Sequence, residues 1–301
     1  MAIVAAVFLP LNYLHAERET TTVEAARSAR PIQAGEGYIP LRSGITHYRF
    51  DGPQARPVVV LVHGYMDTMA DWDDVVPALV SAGFQVLRYD LYGSGLSARP
   101  AVPYTREMLR DQLLDLLDRL HVARPDIVGH SIGGAIAVDF TDRHPDRVGR
   151  LALLAPAVHV DLPKLRIVRL PLVGRYLART QFVPDVARRL RIRASKGQHW
   201  AAAAIEHLRY RGTEEGFLSI ITGDGFGDYR PACQRVGASD RPVLLAWGSA
   251  DALVGREVMS DARGAMPRAD WHELPGAPHE LPMDRPAAVT SVVVPFLLGV
   301  R

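Results

Sequence analysis

Five short, mainly apolar runs recur along the chain: Pro57–Gly64, Gln85–Leu91, Pro125–Gly129, Arg150–Pro156 and Pro242–Gly248. A strand such as Val58–Val62, with no polar alternation, has no face to offer water and must be covered on both sides. Longer stretches with helical spacing separate these runs. Thr105–His121, for example, carries leucines at 109, 113, 114, 116, 117 and 120. Strands alternating with helices specify an α/β fold with a mostly parallel, doubly wound sheet. At 301 residues and 48% hydrophobic content, the chain has the material to bury a large core. In sheets of this kind the chemistry sits in loops beyond the carboxyl ends of the strands.

One such loop carries a strong signal. Directly after the strand Asp126–Val128 comes Gly129-His130-Ser131-Ile132-Gly133-Gly134, followed by the small apolar helical run Ala135–Phe140. This is a G-x-S-x-G elbow in the strand–turn–helix context the motif requires. The turn is sharp enough that side chains at the flanking positions would clash, and it holds the Ser131 oxygen out at the sheet edge. A serine hydroxyl becomes a nucleophile only when a base takes its proton, and the base needs an orienting carboxylate. On this topology the acid and the histidine follow the serine in the chain. The strand Pro242–Trp247 runs into Gly248-Ser249-Ala250-Asp251, and the run Asp270–Leu274 ends in Pro275-Gly276-Ala277-Pro278-His279. Asp251 and His279 therefore complete a candidate triad with Ser131. Asp161, after the strand Arg150–Pro156, is the rival acid. His272 lies inside a strand and reads as structural. Donors for an oxyanion are expected from the backbone amides of Ile132, next after the serine, and Tyr65, in the loop His63-Gly64-Tyr65-Met66. His63, Trp72 and the Asp90–Gly95 loop read as braces.

These residues together, His63-Gly64, Asp90-x-x-Gly93-x-Gly95, the Gly129–Gly134 elbow, Gly248-x-x-Asp251 and His279, resemble the α/β-hydrolase superfamily over roughly residues 40 to 300. The likeness is greatest to serine esterases and monoacylglycerol-lipase-like enzymes with a helical cap. It implies Ser131 as nucleophile, His279 as base, Asp251 as orienter, and an oxyanion hole from the Tyr65 and Ile132 amides. Dehalogenases and epoxide hydrolases of this fold carry aspartate where this chain has Ser131. The carbon–carbon hydrolases of ring-fission products usually carry Asn-x-Met around the serine, where His130 and Ile132 stand here. The leading expectation is carboxylic ester hydrolysis, on a small ester or an acyl lipid. Carbon–carbon hydrolysis and a non-catalytic ligand-binding role are the alternatives. No metal or organic cofactor is implied, because a triad generates its own nucleophile.

The interval Val158 to Asp240 is too long for a plain crossover. It is expected to form the cap (158–240), inserted into a core made of 38–157 and 241–301. Its first part is strongly basic: ten lysines and arginines against Asp185 give residues 164–196 a net +9, while the whole chain carries only +2. Apolar residues interleave with that charge, a pattern suited to an anionic membrane surface. A solvated face paired with acids elsewhere is the competing reading. The small net charge and the lack of any recognition motif argue against a nucleic-acid partner. The basic residues are 33 arginines and two lysines, a bias typical of GC-rich bacterial coding. A single cysteine, Cys233, excludes an internal disulfide framework.

Residues 1–37 are read as an apolar N-terminal segment and an exposed connector. The run Ala2–Leu14 is shorter than the roughly 20 residues needed to span a bilayer. It also lacks the preceding positive charge of a signal peptide. A signal, an anchor and a packed helix all remain open, and with them a cytoplasmic or envelope-associated address.

Overall fold

The computed structural model describes residues 20–159 and 170–300. The apolar run 2–14 and Asp161 lie outside the described residues. Eight strands appear in chain order: β1 (Glu36–Leu41), β2 (Gly44–Asp51), β3 (Val58–Val62), β4 (Gln85–Tyr89), β5 (Asp126–His130), β6 (Leu151–Leu154), β7 (Val243–Gly248) and β8 (Asp270–Leu274). They form one sheet in the order β1-β2-β4-β3-β5-β6-β7-β8. Only β2 runs antiparallel to its neighbours.

Helices make the connections. α1 (Val23–Ala29) precedes the sheet, α2 (Val76–Ser81) joins β3 to β4, α3 (Arg106–Arg119) joins β4 to β5, and α4 (Ile132–Arg143) joins β5 to β6. Between β6 and β7 come α5 (Pro171–Leu177), α6 (Val183–Ser195), α7 (Trp200–His207), α8 (Thr213–Thr222) and α9 (Arg230–Ala238). α10 (Arg256–Ala265) joins β7 to β8, and α11 (Leu281–Asp284) and α12 (Pro286–Leu298) follow β8.

The uninterrupted apolar strands are explained by the layers. Along β3, Val60 and Val62 face a cluster with leucines of α3 and Ile136 and Phe140 of α4. Val59 and Leu61 face the opposite cluster, with Leu79 of α2 and Val289 and Val293 of α12. Each is fully buried, and burying a side chain of this size contributes roughly 1.5–3 kcal/mol. The helix expected over Thr105–His121 is α3, with Thr105 as its N-cap accepting from the Met108 amide.

Two findings depart from the sequence reading. The connector, though mostly exposed, is docked at one point: Thr22 caps α1, Val23 is buried, and Val23 packs with Leu96 and Tyr210. The Thr20 and Thr21 amides also donate to the Arg209 carbonyl. Within the expected cap range 158–240, α9 packs on the sheet, with Ala232, Cys233 and Val236 in the cluster shared with α4. The helices α6, α7 and α8 instead share their own small core of Ala187, Leu190, Trp200, Ala204 and Phe217.

Candidate active site

Parallel register brings the carboxyl ends of β3, β5, β6, β7 and β8 to one edge. Val62 pairs with Gly129, His130 with Leu154, Leu154 with Ala246, and Gly248 with Leu274. The loops carrying Tyr65, Ser131, Asp251 and His279 all leave from that edge.

Ser131 stands between β5 and α4 with φ 55° and ψ −121°, a conformation that a residue with a Cβ rarely adopts. Such backbone strain costs about 1–3 kcal/mol and persists where the surroundings over-determine it. The surroundings here are tight. A Cβ on Gly133 would run into the carbonyl oxygens of Val62 and His63, so only glycine lets α4 approach β3 this closely. The Ser131 amide donates to the Leu154 carbonyl at 3.0 Å, and its own carbonyl accepts from Ala157 at 3.0 Å, which pins the turn.

The serine hydroxyl lies 3.0 Å from His279 Nε2, and His279 Nδ1 lies 2.8 Å from Asp251 Oδ2. The second oxygen of Asp251, Oδ1, accepts from the Leu253 and Val254 amides, both at 2.8 Å. An Nδ1–H donated to Asp251 leaves the Nε2 lone pair facing the serine. All three residues are buried, with Ser131 at 7% exposure and His279 and Asp251 at 8%. Low exposure strengthens these charge-assisted contacts relative to water.

The Ile132 amide is the first of α4, at the positive end of the helix dipole. Among the described residues neither it nor the Tyr65 amide donates to a protein acceptor. The Tyr65 hydroxyl donates to the Phe217 carbonyl at 2.9 Å, holding the loop against α8. His63 donates from Nδ1 to the Gly64 carbonyl and accepts at Nε2 from the Leu91 amide. Burial lowers the His63 pKa and keeps the ring neutral. Asp90 accepts from the Met69 and Leu96 amides and lies 2.6 Å from His47 Nδ1. Burial would raise its pKa, but these contacts prevail and hold it well below the usual carboxylate range. Trp72 is fully buried beneath the same loops.

Sequence reasoning missed two features. His130, the residue before the serine, donates from Nε2 to the His279 carbonyl at 2.9 Å and so ties the elbow to the histidine loop. Burial first, then the neighbouring His279, lowers its pKa to about 3. Asp67, which lines the cavity with Ser131, and Asp71, which is buried, stand four residues apart after Tyr65. Burial and repulsion from Glu280 raise Asp67 to about 7, and burial together with Asp67 raises Asp71 well above the ordinary range. Only the fold brings His130 to the His279 carbonyl and buries Asp71, and no local motif announces either.

Ser131 and His279 open into a cavity of about 380 Å³. Its walls are mostly apolar and include Phe182, Val186 and Leu190 of the inserted segment, Phe217 and Ile221 of α8, and Leu253 beside Asp251. Among the described residues no cluster of His, Cys, Asp or Glu is arranged to hold a metal ion.

Fold and site agree with the similarities to known proteins. The family described as alpha/beta hydrolase fold matches residues 57–286, and the chain belongs to that family. A carboxylesterase, YbfK of Bacillus subtilis, is 25% identical over 281 residues, covering 89% of this chain and 90% of that protein. The 2-hydroxy-6-oxononadienedioate/2-hydroxy-6-oxononatrienedioate hydrolase of Paraburkholderia xenovorans is 28% identical over 282 residues, covering 88% and 93%. The dihydrolipoyllysine-residue acetyltransferase component of the acetoin cleaving system of Pseudomonas putida is 27% identical over 253 residues. That match covers 82% of this chain but 65% of that protein, just under two thirds of its length. Among solved structures, the enol-lactonase from Burkholderia xenovorans superposes with a TM-score of 0.75 at 28% identity, covering 87% of this chain and 100% of that one.

Proposed function

We propose that the chain is a serine hydrolase of carboxylic esters, a carboxylesterase or monoacylglycerol-type lipase, working through an acyl-enzyme on Ser131. The observation that carries this reading is the unbroken relay from Ser131 Oγ to His279 to Asp251, at 3.0 and 2.8 Å. Ser131 Oγ attacks the ester carbonyl as its proton passes to His279 Nε2. The Tyr65 and Ile132 amides take the oxyanion, and Asp251 stabilises the imidazolium. Collapse expels the alkoxide, which leaves as the alcohol with the proton from His279. Water, deprotonated by the same nitrogen, then attacks the acyl-enzyme and releases the acid, restoring Ser131. The apolar cavity suits the acyl chain, with α5–α8 as its cap. Similarity to a carboxylesterase and to an enol-lactonase supports the same bond type.

The test is hydrolysis of p-nitrophenyl esters from acetate to palmitate, wild type beside Ser131→Ala. The expected result is turnover with a chain-length optimum and its loss in the variant. No turnover on any ester would redirect the reading to carbon–carbon hydrolysis, the activity named for the Paraburkholderia relative, or to a ligand-binding role.

A further inference from the structure

The interval between β6 and β7 concentrates both charge and exposed apolar surface. Among the described residues, five of the ten exposed large hydrophobic side chains fall between 170 and 192: Leu170, Leu172, Val173, Phe182 and Ile192. Leu172 is 86% exposed and Leu170 54%. A solvated face would place polar residues there. Basic side chains lie among them, with Arg175, Arg188, Arg189, Arg191 and Lys196 all exposed. On α6, Arg188 and Arg189 share a single acid, Asp185, so that cluster keeps a net positive charge. Arg193 is different: it makes two contacts with Asp284 at 2.6 and 3.1 Å and ties α6 to α11.

Position adds a second argument. Phe182 and Arg189 line the cavity that holds Ser131, and so does Leu253, which is 55% exposed. The basic, apolar face therefore borders the mouth of the site. The charge is also uneven along the chain: the described residues 170–196 hold seven lysines and arginines against Asp185, a net +6 in a chain of +2, so an anionic plane would attract this face.

We propose that this face docks on an anionic lipid bilayer, with Leu172 and Ile192 entering the headgroup boundary and the arginines meeting lipid phosphates, so that the cavity mouth faces the surface. A bare phosphate backbone or an acidic protein would satisfy the arginines. The phosphate backbone would give no use to the exposed leucine, isoleucine and phenylalanine beside them, and a lipid surface accommodates them without a complementary pocket. Among the described residues no helix is long and apolar enough to cross a membrane.

The test is sedimentation with vesicles of phosphatidylcholine alone and of phosphatidylcholine with phosphatidylglycerol. The wild type is compared with Arg175→Gln/Arg188→Gln/Arg191→Gln and with Leu172→Ser/Ile192→Ser, none of which lines the cavity. The wild type should bind only the anionic vesicles and release at about 1 M salt, where screening falls to about 3 Å. Each basic side chain near such a surface is worth about fivefold in binding, so the triple variant should lose about 100-fold. The aliphatic variant should also weaken, while keeping its salt dependence. Equal binding of the wild type to both vesicle types would overturn the proposal, as would unchanged binding of the triple variant. Tighter binding to duplex DNA than to anionic vesicles, undiminished in Leu172→Ser/Ile192→Ser, would overturn it in favour of a nucleic-acid surface. The lipid and salt comparisons use the wild type alone, so a variant that misfolds does not remove the test. Sedimentation of Ser131→Ala, expected to match the wild type, separates failure of docking from failure of the hydrolase reading.

Discussion

The two carboxylate oxygens of Asp251 have different partners: one faces His279, and the other caps its own loop through the Leu253 and Val254 amides. Asp251→Asn would keep the loop but present an amide to His279, favouring the wrong tautomer, and should lower kcat by about 10⁴-fold. A much smaller loss would move the acid role to Asp161. Asp71 offers a separate test, in stability. Its pKa in the fold is raised by burial and by Asp67, so the folded state holds this proton more tightly than the unfolded chain does. The resulting penalty is absent well below the unfolded carboxyl value of about 3.9. It grows as pH rises toward the folded pKa and is constant above it. Asp71→Asn removes the penalty, so the variant's gain in Tm over wild type should be larger at pH 8 than at pH 4.5. Thermal unfolding at the two pH values checks the sign.

At the scale of elements, the turn between β5 and α4 depends on close approach more than on any single contact. Gly133→Ala would drive a methyl group into the Val62 and His63 carbonyls. It should destabilise by about 1–3 kcal/mol and displace Ser131, so activity falls along with Tm. Gly264 in α10 is the control, because nothing lies within 4 Å of the Cβ it would gain. There alanine should stabilise by about 0.5–1 kcal/mol. The same contrast explains what could be read from the residues. β3 to β8 were legible because buried parallel strands read as unbroken apolar runs or end in Gly/Pro loops. β1 and β2 were not: as an edge hairpin, β1 includes Pro40, and most residues of both strands are only half-buried, so no such run marks them. α1 was hidden because a seven-residue helix with one buried side chain leaves little periodicity to detect.

At the scale of the whole molecule, Ser131, Asp251 and His279 were legible because chain order and strand ends constrain the family's loops strongly. The His130 brace was not, since only the fold brings His279, 149 residues on, to it; Asp67 and Asp71 stand four apart, and it is their burial that the residues alone do not show. What joins the parts is the cavity: Phe182 and helices α6–α8 provide its apolar walls, and the sheet edge brings Ser131 and His279 to it beside the Tyr65 loop. The central claim is that the acyl group passes through Ser131. The most direct measurement is mass spectrometry of protein mixed with p-nitrophenyl butyrate and quenched in acid during steady turnover. The account predicts a butyryl increment on the peptide containing Ser131, absent from Ser131→Ala. Sustained hydrolysis with no increment on that peptide, together with an active Ser131→Ala, would contradict it.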